Sequence, residues 1–403
     1  MKVRSTPSYA FVAVACLGCS ARSTTGFVVG PTTAARRVVN PYSVGTSNSF
    51  SVSCASRSPS HFTGTSMSPL VIQSQMDPAH GFIAAEDGAR QLSMMSTGAK
   101  KTVIITGASS GIGFEAAKVL AGTGEWNVVM AVRSFAKAEA AARDAGMDPK
   151  SYTVMDLDLA SLQSTRLFAK AVKAAGIKPD ALVCNAAVWY PKDKNPRSTA
   201  DGFEEAVGVN HLGHFLLCNL LLDDLKKSRV VFIGTETHNP GSIAGKIPPQ
   251  AHLGDLEGLA NGEPMIDGLK FEPTKAYKDS KVCNVLMMRE MDKRFSGEGM
   301  VVSALFPGCI AESPLFREKR GWFRTVFPLF QKYVTRQFVS TEEAGRRVAD
   351  VVSSPQFSTS GAYWRWNGQD AEATARENVV SDEAMDASRC EKLWDISSKL
   401  VGI

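Results

Sequence analysis

Residues 101–113, KTVIITGASSGIG, decide the fold of this chain. Val103, Ile104 and Ile105 stand between Thr102 and Thr106, a β-branched run too short for a helix and closed by glycine, so it reads as a buried strand. Gly107, Gly111 and Gly113 then punctuate a turn, and GIGFEAAKVLAGTG (111–124) carries helix formers up to a terminal pair of glycines. A strand that turns through glycines into a helix brings backbone amides and the positive end of the helix dipole to one point, an arrangement suited to a pyrophosphate. The candidate contacts are Gly107, Ser109, Ser110, Gly111, Ile112 and Gly113. Three glycines alone would mean only a tight turn. The strand before them and the helix after them make the dinucleotide reading specific.

The same grammar repeats down the chain. WNVVMAVR (126–133) reads as a second strand, AKAEAAARDAG (136–146) as a helix, YTVMDLD (152–158) as a third strand, and SLQSTRLFAKAVKAAG (161–176) as a helix capped by Ser161. ALVCNAA (181–187), RVVFIGT (229–235) and MVVSALFPG (300–308) are strands four to six, separated by the long apolar helix of residues 203–227 and by KAYKDSKVCNVLMMREMDKRF (275–295). Alternating apolar strands and amphipathic helices predict one α/β domain from about residue 96 to 403, a Rossmann-like, doubly wound parallel sheet with helices on both faces. Two regions break the rhythm. Residues 237–274 are rich in Gly and Pro without a period, an inserted loop ahead of the last long helix. Residues 313–334, SPLFREKRGWFRTVFPLFQKYV, are aromatic and basic and read either as a lid or membrane-facing surface or as a helical pair on the sheet edge.

Cofactor choice is carried by the end of strand two. A carboxylate there holds the ribose hydroxyls of NADH, whereas this chain offers Arg133 and Lys137, cations that suit a 2'-phosphate and so favour NADPH. Asp158 and Leu159 after strand three, and Asn185, Ala186 and Ala187 after strand four, lie at carboxyl ends of strands, where such sheets bind ligands.

The first 76 residues contain no Asp or Glu but carry Lys2, Arg4, Arg22, Arg36, Arg37 and Arg57. The whole chain has 45 basic and 40 acidic side chains, so without this segment the balance is 39 to 40, and a folded body that is nearly neutral excludes the basic stripe of a nucleic-acid binder. Residues 1–26, with a basic start, an apolar run (FVAVACLGC) and small residues before Phe27, have a signal-like pattern; residues 27–95, Ser/Thr-rich and acid-free to about residue 76, have a transit-like one. The two in series predict a disordered bipartite targeting leader for a plastid, in particular a secondary plastid reached through secretory membranes. No stretch reaches the ~18 apolar residues of a membrane span, so any attachment to lipid is expected to be peripheral. The cysteines outside the leader, Cys184, Cys218, Cys283, Cys309 and Cys390, are widely spaced, which argues for reduced thiols and against a disulfide framework or metal site.

Two Tyr-x-x-x-Lys spacings occur, Tyr190 with Lys194 and Tyr277 with Lys281. The first reads YPKDK, and its proline argues against a helix. In sequence order, Gly107-x-x-x-Gly111-x-Gly113, Asn185-Ala186-Ala187, Asn210, a hydroxyl after strand five, Tyr277-x-x-x-Lys281 and Pro307-Gly308 resemble the short-chain dehydrogenase/reductase superfamily over the whole body. The resemblance implies that Tyr277 delivers a proton, that Lys281 tunes it toward phenolate and holds the nicotinamide ribose, that Asn210 holds a water of the proton relay, and that Pro307 and Gly308 border the nicotinamide. The matching hydroxyl is Thr235, or failing it Thr237; Thr235 stands 42 residues ahead of Tyr277, an excess of about thirty over the superfamily's usual gap.

That insertion, with HNPGSIAGKIPP, LGDLEGL, MIDG, KAYKDSKVCN, ALFPGCIAESPLFRE, FQKYVT and GAYWRWN, resembles the light-dependent protochlorophyllide oxidoreductases from about residue 101 to 403. The resemblance implies light-driven transfer of hydride from NADPH to the ring D double bond of protochlorophyllide, with Tyr277 and Cys309 at the pigment, a homo-oligomer on plastid lipids, and no metal or nucleic acid bound by the protein. Cys283 also matches a family cysteine, with packing as its expected role. The chain departs from the family at Val132, at Trp189-Tyr190 and at Glu312-Ser313, none of which touches the relay. His211 and His214 beside Asn210 read as capping or packing residues. The competing expectations are a light-independent, NADPH-dependent carbonyl reductase, which shares the tyrosine and lysine but not the insertion, and a mainly pigment-binding membrane-assembly protein.

Overall fold

A computed structural model describes residues 100–310, 315, 338–368 and 374–403. The leader and most of the aromatic, basic segment lie outside the described residues. Eight strands form one sheet in the order β3-β2-β1-β4-β5-β6-β7-β8. They are β1 (Lys101–Thr106), β2 (Trp126–Val132), β3 (Tyr152–Asp156), β4 (Ala181–Cys184), β5 (Arg229–Ile233), β6 (Val301–Leu305), β7 (Tyr363–Trp366) and β8 (Ala375–Glu377). All pairings are parallel except β7 with β8, which is antiparallel. The sequence pattern gives six strands; β7 and β8 extend the sheet beyond it, and β8 ends it with an antiparallel edge.

The helices of eight residues or more are α1 (Gly111–Gly122), α2 (Phe135–Asp144), α3 (Leu162–Ala174), α4 (built from Glu205–Val207, Gly208–Leu212 and Gly213–Leu220), α5 (Pro273–Phe295), α6 (Thr341–Ser353) and α7 (Ala387–Val401). Ser161 caps α3 as expected, accepting from Ser164 N at 3.2 Å. Glu272 accepts from Lys275 N, and Pro273 begins α5 where its missing N–H costs nothing. The sheet up to β6 is buried on both faces, with one core of α3, α4, α5 and α7 residues and another of α1, α2 and α6 residues, while the edge strand β8 is largely exposed. Among the described residues no helix is long and apolar enough to cross a membrane, no cluster of potential metal ligands forms, and none of the five cysteines is in a disulfide.

One long helix was expected over 203–227. Instead, the middle of α4 widens into a π turn, Gly208–Leu212, and the helix stops at Leu220 before a 3-10 turn, Leu222–Leu225. Leu212, Leu216 and Leu217 are completely buried, each contributing on the order of 2 kcal/mol of transfer free energy. The polar side chains of the same helix, Asn210, His211 and His214, are buried with them. In such surroundings a donor or acceptor without a partner costs about 1–3 kcal/mol, so their partners position the helix.

Candidate active site

The carboxyl ends of β1, β4, β5 and β6 converge on one side of the sheet and carry Gly107, Asn185, Thr235 and Pro307. At the first of these tips the chain turns through Gly107 at φ +69° and Gly111 at φ +63°, values that favour glycine. Gly113 is fixed by space: a Cβ there would lie 2.3 Å from Asn185 Nδ2, the group that donates to Thr106 O at 2.7 Å. Asn185 thus locks the loop after β4 against the turn after β1. Ser110 supplies no side-chain cap to α1, and the first turn has no acidic residue, which leaves its amide donors suited to an anion. Ser110 Oγ accepts from Lys137 Nζ at 3.3 Å, while Arg133 is exposed at the tip of β2. These features fit a dinucleotide with an additional phosphate at the Lys137 end. Asp158 Oδ1 accepts from Ala160 N at 3.0 Å, Leu159 is buried, and Ala186 and Ala187 are half-buried beside the loop.

Helix α5 carries Tyr277 and Lys281 on the turn facing this edge. Lys281 is buried and donates to Ile233 O at 3.0 Å, so it is anchored to the end of β5 with hydrogens to spare; its Nζ lies 5.9 Å from the Tyr277 ring centroid. Burial lowers the Lys281 pKa to about 8. The expected pull of Tyr277 toward phenolate is not realised. Burial, reinforced by the nearby Cys309, raises its pKa above the ordinary phenol value, so the group stays protonated. Trp189 stacks on it with centroids 5.3 Å apart and planes 28° apart. The other Tyr-x-x-x-Lys serves elsewhere: Tyr190 donates to Glu205 Oε1 at 2.9 Å and lies beneath the Arg197 guanidinium.

The insertion is clamped onto α5 by the charged residues around Tyr277. Lys275 Nζ donates to His252 O at 2.6 Å and Asp279 Oδ2 at 2.5 Å, and pairs with Asp267 Oδ2 at 2.7 Å. Burial opposes its charge, but Asp279 and Asp267 outweigh that and raise its pKa. Lys278 Nζ donates to Ile247 O and Pro249 O, both at 2.7 Å. Apart from Asp279, one helical turn from Lys275, the partners of these lysines are distant carbonyls and a loop carboxylate, which no local spacing reveals.

Asn210 lies in the π turn of α4. Its Oδ1 accepts from Val188 N at 2.8 Å, and its Nδ2 donates to Val188 O at 3.1 Å and Ser280 Oγ at 3.0 Å. Ser280 in turn donates to Tyr277 O at 2.7 Å, which joins the relay helix to α5. After β5, the Thr235 and Thr237 hydroxyls are 3.2 Å apart, so the two candidates form one pair. Thr235 O accepts from Tyr363 Oη at 3.1 Å and from His238 Nδ1. Tyr363 comes from β7, a strand the sequence pattern missed.

Gly308 has φ +124°, and a Cβ on it would lie 2.3 Å from Val339 Cγ2. The following residue, Cys309, is half-buried and pairs by a backbone bridge with Phe338. Arg347 of α6, which sequence reading passed over, is 1 % exposed and donates to Pro307 O and Gly368 O, both at 3.0 Å, while pairing with Glu343 at 2.8 Å. It supports the backbone that carries Pro307, Gly308 and Cys309. Cys283 is completely buried and packs in the core.

The sheet order, the glycine turn and the Tyr277–Lys281 helix define a short-chain dehydrogenase, a nicotinamide-dependent oxidoreductase. Residues 101–246 match the short chain dehydrogenase family model. A short chain dehydrogenase from Burkholderia cenocepacia solved in complex with NADP superposes with a TM-score of 0.50 at 18 % identity, covering 65 % of this chain and 94 % of that one, a likeness of fold. Among curated proteins, the chain is 54 % identical over 318 residues to the chloroplastic protochlorophyllide reductase of Chlamydomonas reinhardtii, covering 76 % of this chain and 79 % of that one. It is 50 % identical over 347 residues to the chloroplastic protochlorophyllide reductase A of Oryza sativa subsp. japonica, covering 83 % and 89 %. The chain belongs to the protochlorophyllide reductase family.

Proposed function

We propose that this chain reduces the ring D double bond of protochlorophyllide to chlorophyllide in a light-driven step of chlorophyll biosynthesis, with NADPH as hydride donor. The observation that carries the reading is the buried, protonated Tyr277 beside Lys281, on a helix to which the family's insertion is clamped. The NADPH choice rests on Arg133 and Lys137 at the tip of β2 and on Lys137 reaching Ser110. When bound, NADPH supplies the hydride; the pigment absorbs the light.

The remaining chemistry belongs to the chain. The amides of the Gly107–Gly113 turn hold the pyrophosphate, with Ser109, Ser110 and Ile112 along the turn and Asn185, Ala186 and Ala187 closing its far side. Asp158 and Leu159 border the base, and Pro307 and Gly308 border the nicotinamide. Lys281 holds the ribose and returns a proton to Tyr277, Asn210 carries the water that resupplies Lys281, and Thr235 orients the hydrogen-bond chain at the tip of β5. Tyr277 delivers its proton to the pigment carbon adjacent to the one that accepts hydride, and Cys309 shapes the pigment side of the site. Proximity and orientation, rather than covalent chemistry, are what the chain contributes.

Working in a plastid, the protein would be imported by its bipartite leader, a secondary plastid being the destination, and would assemble as a homo-oligomer at lipid surfaces. The test is direct. The full chain is mixed with NADPH and protochlorophyllide in darkness, and absorption is recorded before and after one flash. Conversion to chlorophyllide only after light supports the proposal; conversion in darkness, or NADPH binding without a pigment complex, points to a light-independent reductase. Tyr277→Phe should keep NADPH affinity within about twofold and lose at least about a hundredfold in turnover, the usual contribution of a positioned acid. Undiminished turnover would remove Tyr277 as donor.

A further inference from the structure

His214 is completely buried on α4, one helical turn beyond Asn210, and both ring nitrogens are engaged. Its Nδ1 lies 3.1 Å from Asn210 O, a carbonyl that only accepts, so Nδ1 carries the hydrogen. Its Nε2 lies 2.9 Å from Thr106 Oγ1 and, in the neutral ring, accepts from that hydroxyl; the competing acceptor, Val183 O, is at 3.2 Å. Burial keeps the ring neutral, with a pKa near 4. Thr106 closes β1, immediately before the glycine turn, and its Oγ1 also accepts from Asn185 N at 2.9 Å and Ala186 N at 3.0 Å.

A continuous hydrogen-bonded path therefore runs from the Asn185-Ala186 amides through Thr106 and the His214 ring to the main chain of Asn210. The Asn210 side chain, joined covalently to that carbonyl, donates on to Ser280 Oγ, which donates to the main-chain O of Tyr277. We propose that His214 is a positioning residue that couples the nucleotide turn to the proton relay, by holding the Asn210 carbonyl in the π turn with one nitrogen and the Thr106 hydroxyl with the other. The π turn makes the geometry possible, since widening the helix at Gly208–Leu212 changes the direction in which the Asn210 main chain is presented. The relay assignment within this inference rests on the function proposed above; the link to the nucleotide turn does not.

The ring's two ends can be tested separately. His214→Asn places an amide donor where Nδ1 stands and keeps the bond to Asn210 O, but does not reach Thr106. His214→Gln reaches Thr106 and gives up Asn210 O. His214→Phe gives up both. With each hydrogen bond worth about 1 kcal/mol, or roughly fivefold, the Asn variant should weaken NADPH binding about fivefold with turnover near normal. The Gln variant should leave NADPH affinity near normal, slow single-turnover product formation after a flash about fivefold, and enlarge the solvent isotope effect. The Phe variant should show both changes.

NADPH affinity is measured on the full chain without pigment, so this arm reads the link even where protochlorophyllide is not turned over; a wild-type chain that binds NADPH but does not convert the pigment defeats the functional proposal instead. The inference is overturned if all three variants lose affinity and turnover in parallel with thermal stability, the pattern of a packing residue. It is equally overturned if Asn and Gln at 214 both behave as wild type, or if their two effects are exchanged.

Discussion

Replacing His238 by Asn separates the titration of one buried ring from everything else in the molecule. His238 is 1 % exposed, and its Nδ1 donates to Thr235 O, a contact that the amide of Asn can reproduce. Burial lowers its pKa from the ordinary 6.5 to about 4. The sign follows from proton counting. Between these values the unfolded chain binds a proton that the folded chain refuses, so the stability present above pH 6.5 is lost as pH falls toward 4. At pH 5 the unfolded ring is almost fully protonated and the folded ring about one-tenth so, a difference of about 2 kcal/mol at about 1.36 kcal/mol for each pKa unit. At pH 7.5 the difference is close to zero. Urea unfolding of the full chain and of His238→Asn at pH 7.5 and 5 should therefore show the wild-type advantage shrinking by about 2 kcal/mol on acidification. His211 and His214, also buried and neutral, titrate equally in both proteins and cancel. A gap between the two proteins that stays constant to within about 0.5 kcal/mol would refute the assignment of a buried, neutral His238.

The other expectations concern charge. Replacing Arg133 and Lys137 together by Ser should weaken NADPH about a hundredfold or more, at about 1.5–3 kcal/mol for each of two charged contacts, and leave NADH unchanged, as binding titrations with the two nucleotides would show; an equal loss of both would mean the cations serve only the fold. Lys275→Met leaves Asp267 and Asp279, 3 % and 0 % exposed as side chains, without their cation, and should cost about 3–5 kcal/mol in urea unfolding at pH 8; a loss below about 1 kcal/mol would show that the clamp is solvated. Lys281, lowered to about 8 by burial, must be charged to return a proton to Tyr277. The proton-dependent step should therefore fall about tenfold per pH unit above pH 8, by flash kinetics across pH, and Lys281→Arg, whose guanidinium does not release its proton, should slow it at every pH; a rate independent of pH to 9.5 would exclude Lys281 from the resupply.

The β1–glycine–α1 unit was legible because its information is local: a β-branched run, three glycines and a helical period lie within two dozen residues. β7 was not, because YWRW packs Tyr363 and Trp366 into the molecule without strict alternation, and its partner β6 is nearly sixty residues away in sequence. The π turn was invisible because one widened turn leaves the spacing of Leu212, Leu216 and Leu217 compatible with an ordinary helix. Tyr277 and Lys281 were found by spacing, but the sign of the tyrosine's shift was misjudged. Spacing supplies the distance between the two residues and says nothing of the burial that dominates it. Arg347 was passed over for a related reason. Its destination, the carbonyls of Pro307 and Gly368, exists only once α6 has docked.

Burial at this edge gives each titratable group the protonation state its neighbours require. A proton donor must hold its proton until the acceptor carbon is ready, and the buried Tyr277 phenol does so more firmly than a solvated one. The same burial moves Lys281 down to about 8, where loss of its proton is far easier than from a solvated ammonium, as the proposed resupply of Tyr277 requires. His214 is driven the other way, to a neutral ring with one donor and one acceptor. A charged ring there would present two donors and lose Thr106 as its partner. One physical cause, exclusion of water from the Tyr277, Lys281 and His214 side chains behind the tips of β1, β4 and β5, thus gives a retained phenol proton, a labile ammonium and a neutral imidazole whose hydrogen-bond polarity is fixed. A polar substitution that admits water to this edge should disturb all three together, whereas the half-substitutions at His214 leave the exclusion intact and change only the direction of single hydrogen bonds.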